Sequence, residues 1–253
     1  MNESGEWEYI WDGRGGPFSI LLTDGVFAPT HTSREVAAGL TVNPGDTVID
    51  VGSGSGILSF VAALLGAKKV YGTEVNERAV DLSRRNAERL GLSDRVEIRG
   101  GSLFEPLAGI KADVVIGDVS GIPDEIAAVS GWFPGGFSGG PTGAEVPVAM
   151  LEASRRHLLP GGRLYLPTGS IQDEGAVLRA ARRIFGEGRT RKLRQRLLPL
   201  PTKIAETAVV RRLMDSGVVS FFRKGSRLVW ELRIWECSLP PATTSPVAPL
   251  HAS

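Results

Sequence analysis

Through the middle of the chain, short apolar runs alternate with longer segments of helical period. The runs are residues 47–51, 69–73, 95–99, 113–117 and 163–166. They are too short for helices and largely apolar on consecutive positions, which predicts strands buried on both faces. Helices lie between them. Residues 57–65 are apolar all round and are predicted as a helix ended by Gly66. Asn76 caps a polar helix that ends at Gly91, and further helices are predicted over 123–129 and 145–158, the latter followed by a Pro160-Gly161-Gly162 turn. Strands and helices alternating at this spacing predict an α/β fold whose parallel sheet is covered on both faces. Ahead of this core, a strand is expected over 18–22. A helix should follow from Ser33, as its cap, to about Leu40, with Glu35 supporting the first turn.

The last third changes character. Helices are predicted over 173–185 and 203–214, with an extended segment over 189–199 between them. Runs at 218–222 and 227–236 flank Lys224-Gly225 and read as an antiparallel hairpin. From Leu239 the chain is rich in Pro, Ala, Ser and Thr and is expected to fray as a disordered tail over 239–253. There is no internal repeat and no linker. The expectation is one domain over 1–238, with 1–25 as a segment covering the site.

Composition narrows the field. The chain has 253 residues, 42% of them apolar, and a formal net charge of +1. That supports a substantial core and argues against a protein that coats DNA or an acidic membrane. One cysteine, Cys237, and three histidines, His31, His157 and His251, exclude an intramolecular disulfide and disfavour a metal centre. No basic-then-apolar leader and no run of eighteen apolar residues occurs, so a soluble, cytoplasmic protein without a membrane partner is expected.

The candidate chemistry sits at one strand–loop–helix crossing, Asp50-Val51-Gly52-Ser53-Gly54-Ser55-Gly56-Ile57. Glycines there let the backbone approach a ligand closely. The G-x-G-x-x-G dinucleotide fingerprint fails from Gly52 and from Gly54, and no lysine makes a P-loop. Asp50, near the ligand end of its strand, would repel a pyrophosphate and attract an ammonium. Glu74 ends the next strand, where a carboxylate meets ribose hydroxyls. A ribose, an ammonium and no phosphate together suggest S-adenosylmethionine.

With those residues in place, the stretch from Asp50 to Asn86 resembles the cofactor half of class I S-adenosylmethionine-dependent methyltransferases. Within that superfamily it is most similar to two protein-methylating groups. One is the methyltransferase of a large-subunit ribosomal protein, on the run GSGILS, the run GAKKV and the upstream Thr30-His31-Thr32-Ser33. The other is the protein arginine methyltransferases, which share GILS, GAKKVYG and the strand-ending Glu. The likeness covers roughly residues 26 to 168 and implies a doubly wound, mostly parallel seven-stranded Rossmann-like sheet. The C-terminal hairpin would then supply its antiparallel edge.

The resemblance implies roles for matching positions. Asp50 would organise the loop and the methionine end; Gly52, Ser53, Gly54 and Gly56 would line the cofactor. Glu74 would hold the ribose and Val75 would face the adenine. Ser102 and Leu103 lie where many relatives place an acid against the adenine amino group, so here a hydroxyl replaces it. Asp118 follows the fourth strand, where the superfamily faces the transferred methyl. It is the leading candidate for orienting or deprotonating the acceptor. Asp124 or Glu125 would complete a loose carboxylate pair. His31 is the second catalytic candidate, as a base near neutral pH or a cover over the cofactor. His157 reads as structural. The Asn/Asp-Pro-Pro-Tyr/Phe motif of amide and base-amine methylation is absent.

The loop over 132–143, with Trp132, Phe133 and Phe137, is expected to lie over the acceptor. Trp7, Tyr9 and Trp11 would be either a further wall or core. The basic run from Arg179 to Arg196 reads as a solvated face, with recognition of an anionic acceptor as the other reading. Only about 25 residues precede the shared region, so the separate recognition domain of the ribosomal-protein enzyme is expected to be missing. The function expected is therefore methyl transfer to a nitrogen or oxygen of a small metabolite or peptide. The alternatives are a protein lysine or arginine methyltransferase, an RNA methyltransferase, which the sequence disfavours, and a non-catalytic cofactor-binding subunit.

Overall fold

The five apolar runs become the parallel part of one sheet in a computed structural model that describes residues 5–132 and 137–242. They are β3 (Thr47–Val51), β4 (Lys69–Glu74), β5 (Val96–Gly100), β6 (Ala112–Ile116) and β7 (Leu158–Gly169). β8 (Thr190–Pro199) and β10 (Arg227–Ser238) join them, giving the order β5-β4-β3-β6-β7-β10-β8, with the short β9 (Phe222–Lys224) hairpinned onto β10. β3, β4, β5, β6 and β7 run parallel, while β10 is antiparallel to both β7 and β8. The direction of the sequence switches between β3 and β6, which opens a crevice at the carboxyl ends of these strands.

Two expectations about the last third are corrected. The C-terminal hairpin does not supply the sheet edge: β10 is inserted between β7 and β8, and the extended segment 190–199 is the edge. Burial explains it. Val229, Leu232, Ile234 and Cys237 of β10 are buried, as a central strand requires. β8 carries Arg191, Lys192, Arg194 and Arg196, the kind of charge that keeps an open edge from pairing further. The run 218–222 forms no strand before Phe222; Val219 and Phe221 enter a core instead. Fraying at Leu239 is also premature. Leu239 N–H donates to Gly162 O (2.9 Å) and Gly161 N–H to Pro240 O (2.8 Å), while residues from 243 lie outside the described chain. The Pro160-Gly161-Gly162 turn is an irregularity inside β7 rather than a break before it, since the register against β6 shifts there.

Helices α2 (Ile57–Leu64) and α3 (Glu77–Arg89) pack on the sheet, with α1 (His31–Gly39) beside α2. Residues 57–63 of the all-apolar α2 are buried, and part of the segment expected to cover the site, 1–25, encloses them. β1 (Glu6–Trp11) and β2 (Phe18–Thr23) form an antiparallel ribbon over α2 and α3. Trp11, Ile20 and Leu22 are fully buried; Phe18 meets the ring of Phe60 edge-on at 6.5 Å. Asn86 of α3 completes the seal, accepting from Leu21 N–H (2.8 Å) and donating to Leu21 O (2.9 Å). Burying each such large apolar side chain contributes about 1.5–3 kcal/mol. Trp11 therefore belongs to the core, with Trp7 and Tyr9 packed against it, and among its described residues the segment 1–25 meets the cavity only at Gly25.

The other face holds α5 (Glu145–Ser154) and α6 (Glu174–Phe185) over a second core that includes Ile49, Val115, Leu164 and Leu166. Beyond the strand ends a third, small core is built from α4 (Asp124–Ser130), α7 (Thr202–Ala205), α8 (Ala208–Asp215) and the chain leading to β9. Its members include Ile126, Ile171, Ile204, Leu213 and Phe221. It forms a cap beside the crevice. Among the described residues no helix is long and apolar enough to cross a membrane, and no cluster of His, Cys, Asp and Glu could hold a metal ion.

Candidate active site

The glycine loop is held from below by β4. The amides of Gly52 and Ser53 both donate to Thr73 O at 2.9 Å, which turns the chain sharply at the strand tip. Gly56, with φ 88°, begins α2; a Cβ there would sit 2.5 Å from the Phe60 ring, so only glycine fits. Glu74 clamps the loop from the side. One carboxylate oxygen accepts from Gly54 N–H and the other from Asn76 N–H, each at 2.9 Å. Both oxygens keep a second lone pair for a ligand hydroxyl. Val75, next in the chain, is an apolar side chain 45% exposed in the cavity wall, and Ser102 and Leu103 face the same space.

Asp50 lies beneath the loop, buried, and accepts from Ser59 Oγ at 2.6 Å. Burial, with Asp118 and Glu74 nearby, raises its carboxyl to about 7 against the pull of the Ser59 hydrogen bond. Asp118 follows β6 and is partly open to the cavity, accepting from Ser33 Oγ at 3.3 Å. Loss of solvent among the cavity walls pushes its carboxyl up to about 6, and the Ser33 bond offsets this in part. Two acids thus face one space with no counter-ion between them.

Ser33 is not the cap of α1. Thr30 is the cap: its hydroxyl accepts from Thr32 N–H (3.1 Å), and Ser33 Oγ accepts from Thr30 N–H (3.4 Å) as the other half of a capping box. This frees the Ser33 hydroxyl proton for Asp118. Glu35 does not support the first turn either; it is buried against Arg194 (2.7 Å) and Arg196 (2.9 Å) of β8. His31 opens α1 at the cavity rim. His157 is structural: its Nδ1 lies 2.9 Å from Ile110 O and its ring stacks on Phe104. Asp124 and Glu125 are engaged outside the cavity, with Ser138 and Arg212, and do not complete a pair with Asp118.

These residues line one cavity of about 970 Å³. At one end stand Asp50, the glycine loop, Glu74, Val75, Ser102 and Leu103. At the other lies Trp132, as expected, with Ile122, Ile171, Gln172, Leu198, Trp230 and Leu232, which nothing in the sequence marks. Phe137 lines the cavity as expected, whereas Phe133 lies outside the described residues. Among the described lining residues there is no Lys or Arg; the charged side chains are the acids Asp50, Glu74, Asp118 and Glu145. Such a space suits a cationic nucleoside without phosphates. Three features of the wall fit such a ligand: the Glu74 carboxylate with lone pairs to spare, the exposed apolar side chain of Val75 beside it, and a loop whose Gly52, Gly54 and Gly56 all take positive φ.

An α/β sheet with this order and a cation-free crevice at its switch point defines a cofactor-binding, Rossmann-like protein. The comparisons narrow that class. Residues 32–121 match the family described as "Ribosomal protein L11 methyltransferase (PrmA)". The chain is 39% identical over 113 residues to the ribosomal protein L11 methyltransferase of Pelotomaculum thermopropionicum, covering 45% of this chain and 33% of that protein. It is 31% identical over 156 residues to the release factor glutamine methyltransferase of Moorella thermoacetica, covering 58% and 53%. Among solved structures, the Thermus thermophilus 16S rRNA N2 G1207 methyltransferase shares the fold, with a TM-score of 0.60, 15% identity, and coverage of 92% of this chain and 50% of that one. The chain thus spans about a third to a half of the length of the curated relatives it matches. The likeness places the matched region, residues 32–121, with the class I S-adenosylmethionine-dependent methyltransferases.

Proposed function

We propose that this chain transfers a methyl group from S-adenosylmethionine to a nitrogen or oxygen on a side chain of a protein or peptide. The observation that carries the reading is the composition of the cavity: acidic at Asp50, Glu74 and Asp118, free of Lys and Arg among its described residues, and continuous from the glycine loop to an aromatic chamber. Relatives that methylate a ribosomal protein and a release factor support a protein acceptor over a free metabolite.

When bound, the cofactor supplies an activated methyl on a sulfonium. Protein groups then have to bind, orient and exclude water. Glu74 and the Gly54 amide form the ribose end, and Val75 offers an apolar face to the base. Asp50, fixed by Ser59, places negative charge under the methionine end. Asp118 faces the acceptor, oriented by Ser33. Its raised pKa keeps it mostly ionised at neutral pH while leaving it basic enough to take the proton that an ammonium or hydroxyl acceptor must lose. Trp132, Trp230 and Leu232 keep the chamber apolar. His31, at the rim, is proposed to cover the cofactor rather than to act as the base.

The test is fractionation of label. With labelled S-adenosylmethionine and a whole lysate, label is expected in the protein fraction. Label confined to small molecules would replace the acceptor class with a metabolite, and label in RNA would replace it with a nucleic acid.

A further inference from the structure

The C-terminal part of the cap, residues 201–227, carries a charge that the rest of the molecule does not, while α4 contributes the acids Asp124 and Glu125. Residues 201–227 hold six basic side chains (Lys203, Arg211, Arg212, Arg223, Lys224 and Arg227) against two acids, Glu206 and Asp215. That is a net +4 within a chain whose total is +1. Arg212 pairs with Glu125 of α4; the other five make no ion pair among the described residues. The basic run on β8 is the opposite case. Arg191 bonds to Glu236, and Arg194 and Arg196 to Glu35, so that stretch is largely neutralised within the fold.

The β9–β10 hairpin sharpens the contrast. All three β9 residues are exposed, and Lys224 lies directly opposite Arg227 across the Gly225-Ser226 turn, with Arg223 beside them. Like charges placed opposite each other weaken a strand pair, and no acid among the described residues pairs with them. The position is also telling. β10 continues from this turn into Trp230 and Leu232, both in the wall of the acceptor end. Leu200 N–H donates to Leu228 O (2.8 Å), tying the start of α7 to the same hairpin, and Pro201 lines the cavity two residues before Lys203. The cap's own core packs Ile122, Trp132 and Trp230 on its underside.

We infer that the cap is a docking surface for an Asp/Glu-rich segment of the protein acceptor. The inference rests on the protein-acceptor reading above and deepens it. Inside, the cavity is acidic and repels carboxylates; outside, the cap attracts them. The acceptor this selects is a neutral or cationic side chain within an acidic stretch of polypeptide. RNA fits less well, because single-stranded recognition stacks successive bases on several aromatic rings, and Phe222 is the one exposed aromatic among the cap's described residues.

The experiment measures binding of a fluorescent decaglutamate peptide by anisotropy. Decauridylate and anionic phosphatidylglycerol vesicles are compared at two salt concentrations. The wild-type chain should bind decaglutamate best, weakening with salt. The triple variant Arg223→Gln, Lys224→Gln, Arg227→Gln should lose about tenfold in affinity. Its affinity for S-adenosylhomocysteine, read by calorimetry, should stay unchanged. If that variant does not fold, Lys203→Gln with Arg211→Gln carries the same test. Equal binding by variant and wild type overturns the inference, as does tighter binding of decauridylate or of vesicles. Failure of the wild-type chain to bind S-adenosylhomocysteine, with decaglutamate binding intact, would instead remove the methyltransferase reading and leave the acidic-segment surface standing.

Discussion

The two ends of the cavity are made in opposite ways. The end proposed to hold the nucleoside comes almost entirely from one stretch, Asp50 to Asn76, where a strand, a tight loop, a helix and the next strand are neighbours both in sequence and in space. The acceptor end is assembled from Ser33, Asp118, Trp132, Gln172, Leu198 and Trp230, which only the sheet order brings together. The first is fixed by backbone hydrogen bonds and glycine conformations, the second by packing between distant elements. A cofactor site of this kind is locally encoded. A substrate site is encoded globally, and its chemistry changes when a terminal strand or a cap changes.

The contrast is broken most severely at the nucleoside end. Glu74→Ala removes the clamp on Gly54 and the ribose carboxylate together, and is expected to weaken S-adenosylhomocysteine binding by about a hundredfold in calorimetry. Loss of turnover without loss of binding would contradict the assignment.

At the acceptor end the effects should separate. Asp118→Asn is expected to lower kcat by about 10²- to 10⁴-fold while sparing cofactor affinity. The wild-type rate should fall as pH drops through about 6, because the base is then protonated. A flat profile between pH 5 and 8 would remove Asp118 as the base.

Smaller effects test the scaffold between the ends. Glu35→Gln unties α1 from Arg194 and Arg196 of β8 and should cost about 1–3 kcal/mol in chemical unfolding, with little change in cofactor affinity. Asp50 gives a signed pH test. Its folded pKa of about 7 lies above its ordinary value of 3.8, so the folded chain binds the extra proton; the acid costs stability progressively as pH rises between these values, and the cost levels off above about 7. Asp50→Asn, without cofactor, should therefore unfold at a higher temperature than wild type at pH 8, and the gap should close toward pH 4. A gap that widens on acidification would show that the acid is stabilised where it is buried.

The same division explains what could be read from the sequence. Asp50, Gly52, Gly54, Gly56 and Glu74 stand within one strand–loop–helix–strand unit whose spacing carries its own meaning, and the parallel strands follow from their unbroken apolar runs. Trp230 and Leu232 could not be found this way, because their strand looked like an edge and proved central. The all-apolar pattern of α2 does not say what covers it; the cover is the aromatic ribbon of β1 and β2. Ser33 was singled out as a cap by its residue type, yet Thr30 three residues earlier takes that place. Arg179 to Arg196 drew notice by density of charge, while the fewer, unneutralised cations of the cap did not, since pairing is a property of the fold rather than of composition.

The most direct measurement is calorimetric titration of the whole chain with S-adenosylmethionine, alongside NAD and ATP. Heat of binding with S-adenosylmethionine alone, abolished in Glu74→Ala, is the predicted result. Silence with S-adenosylmethionine and clear binding of either phosphorylated nucleotide would contradict the reading of a cation-free, acid-lined crevice.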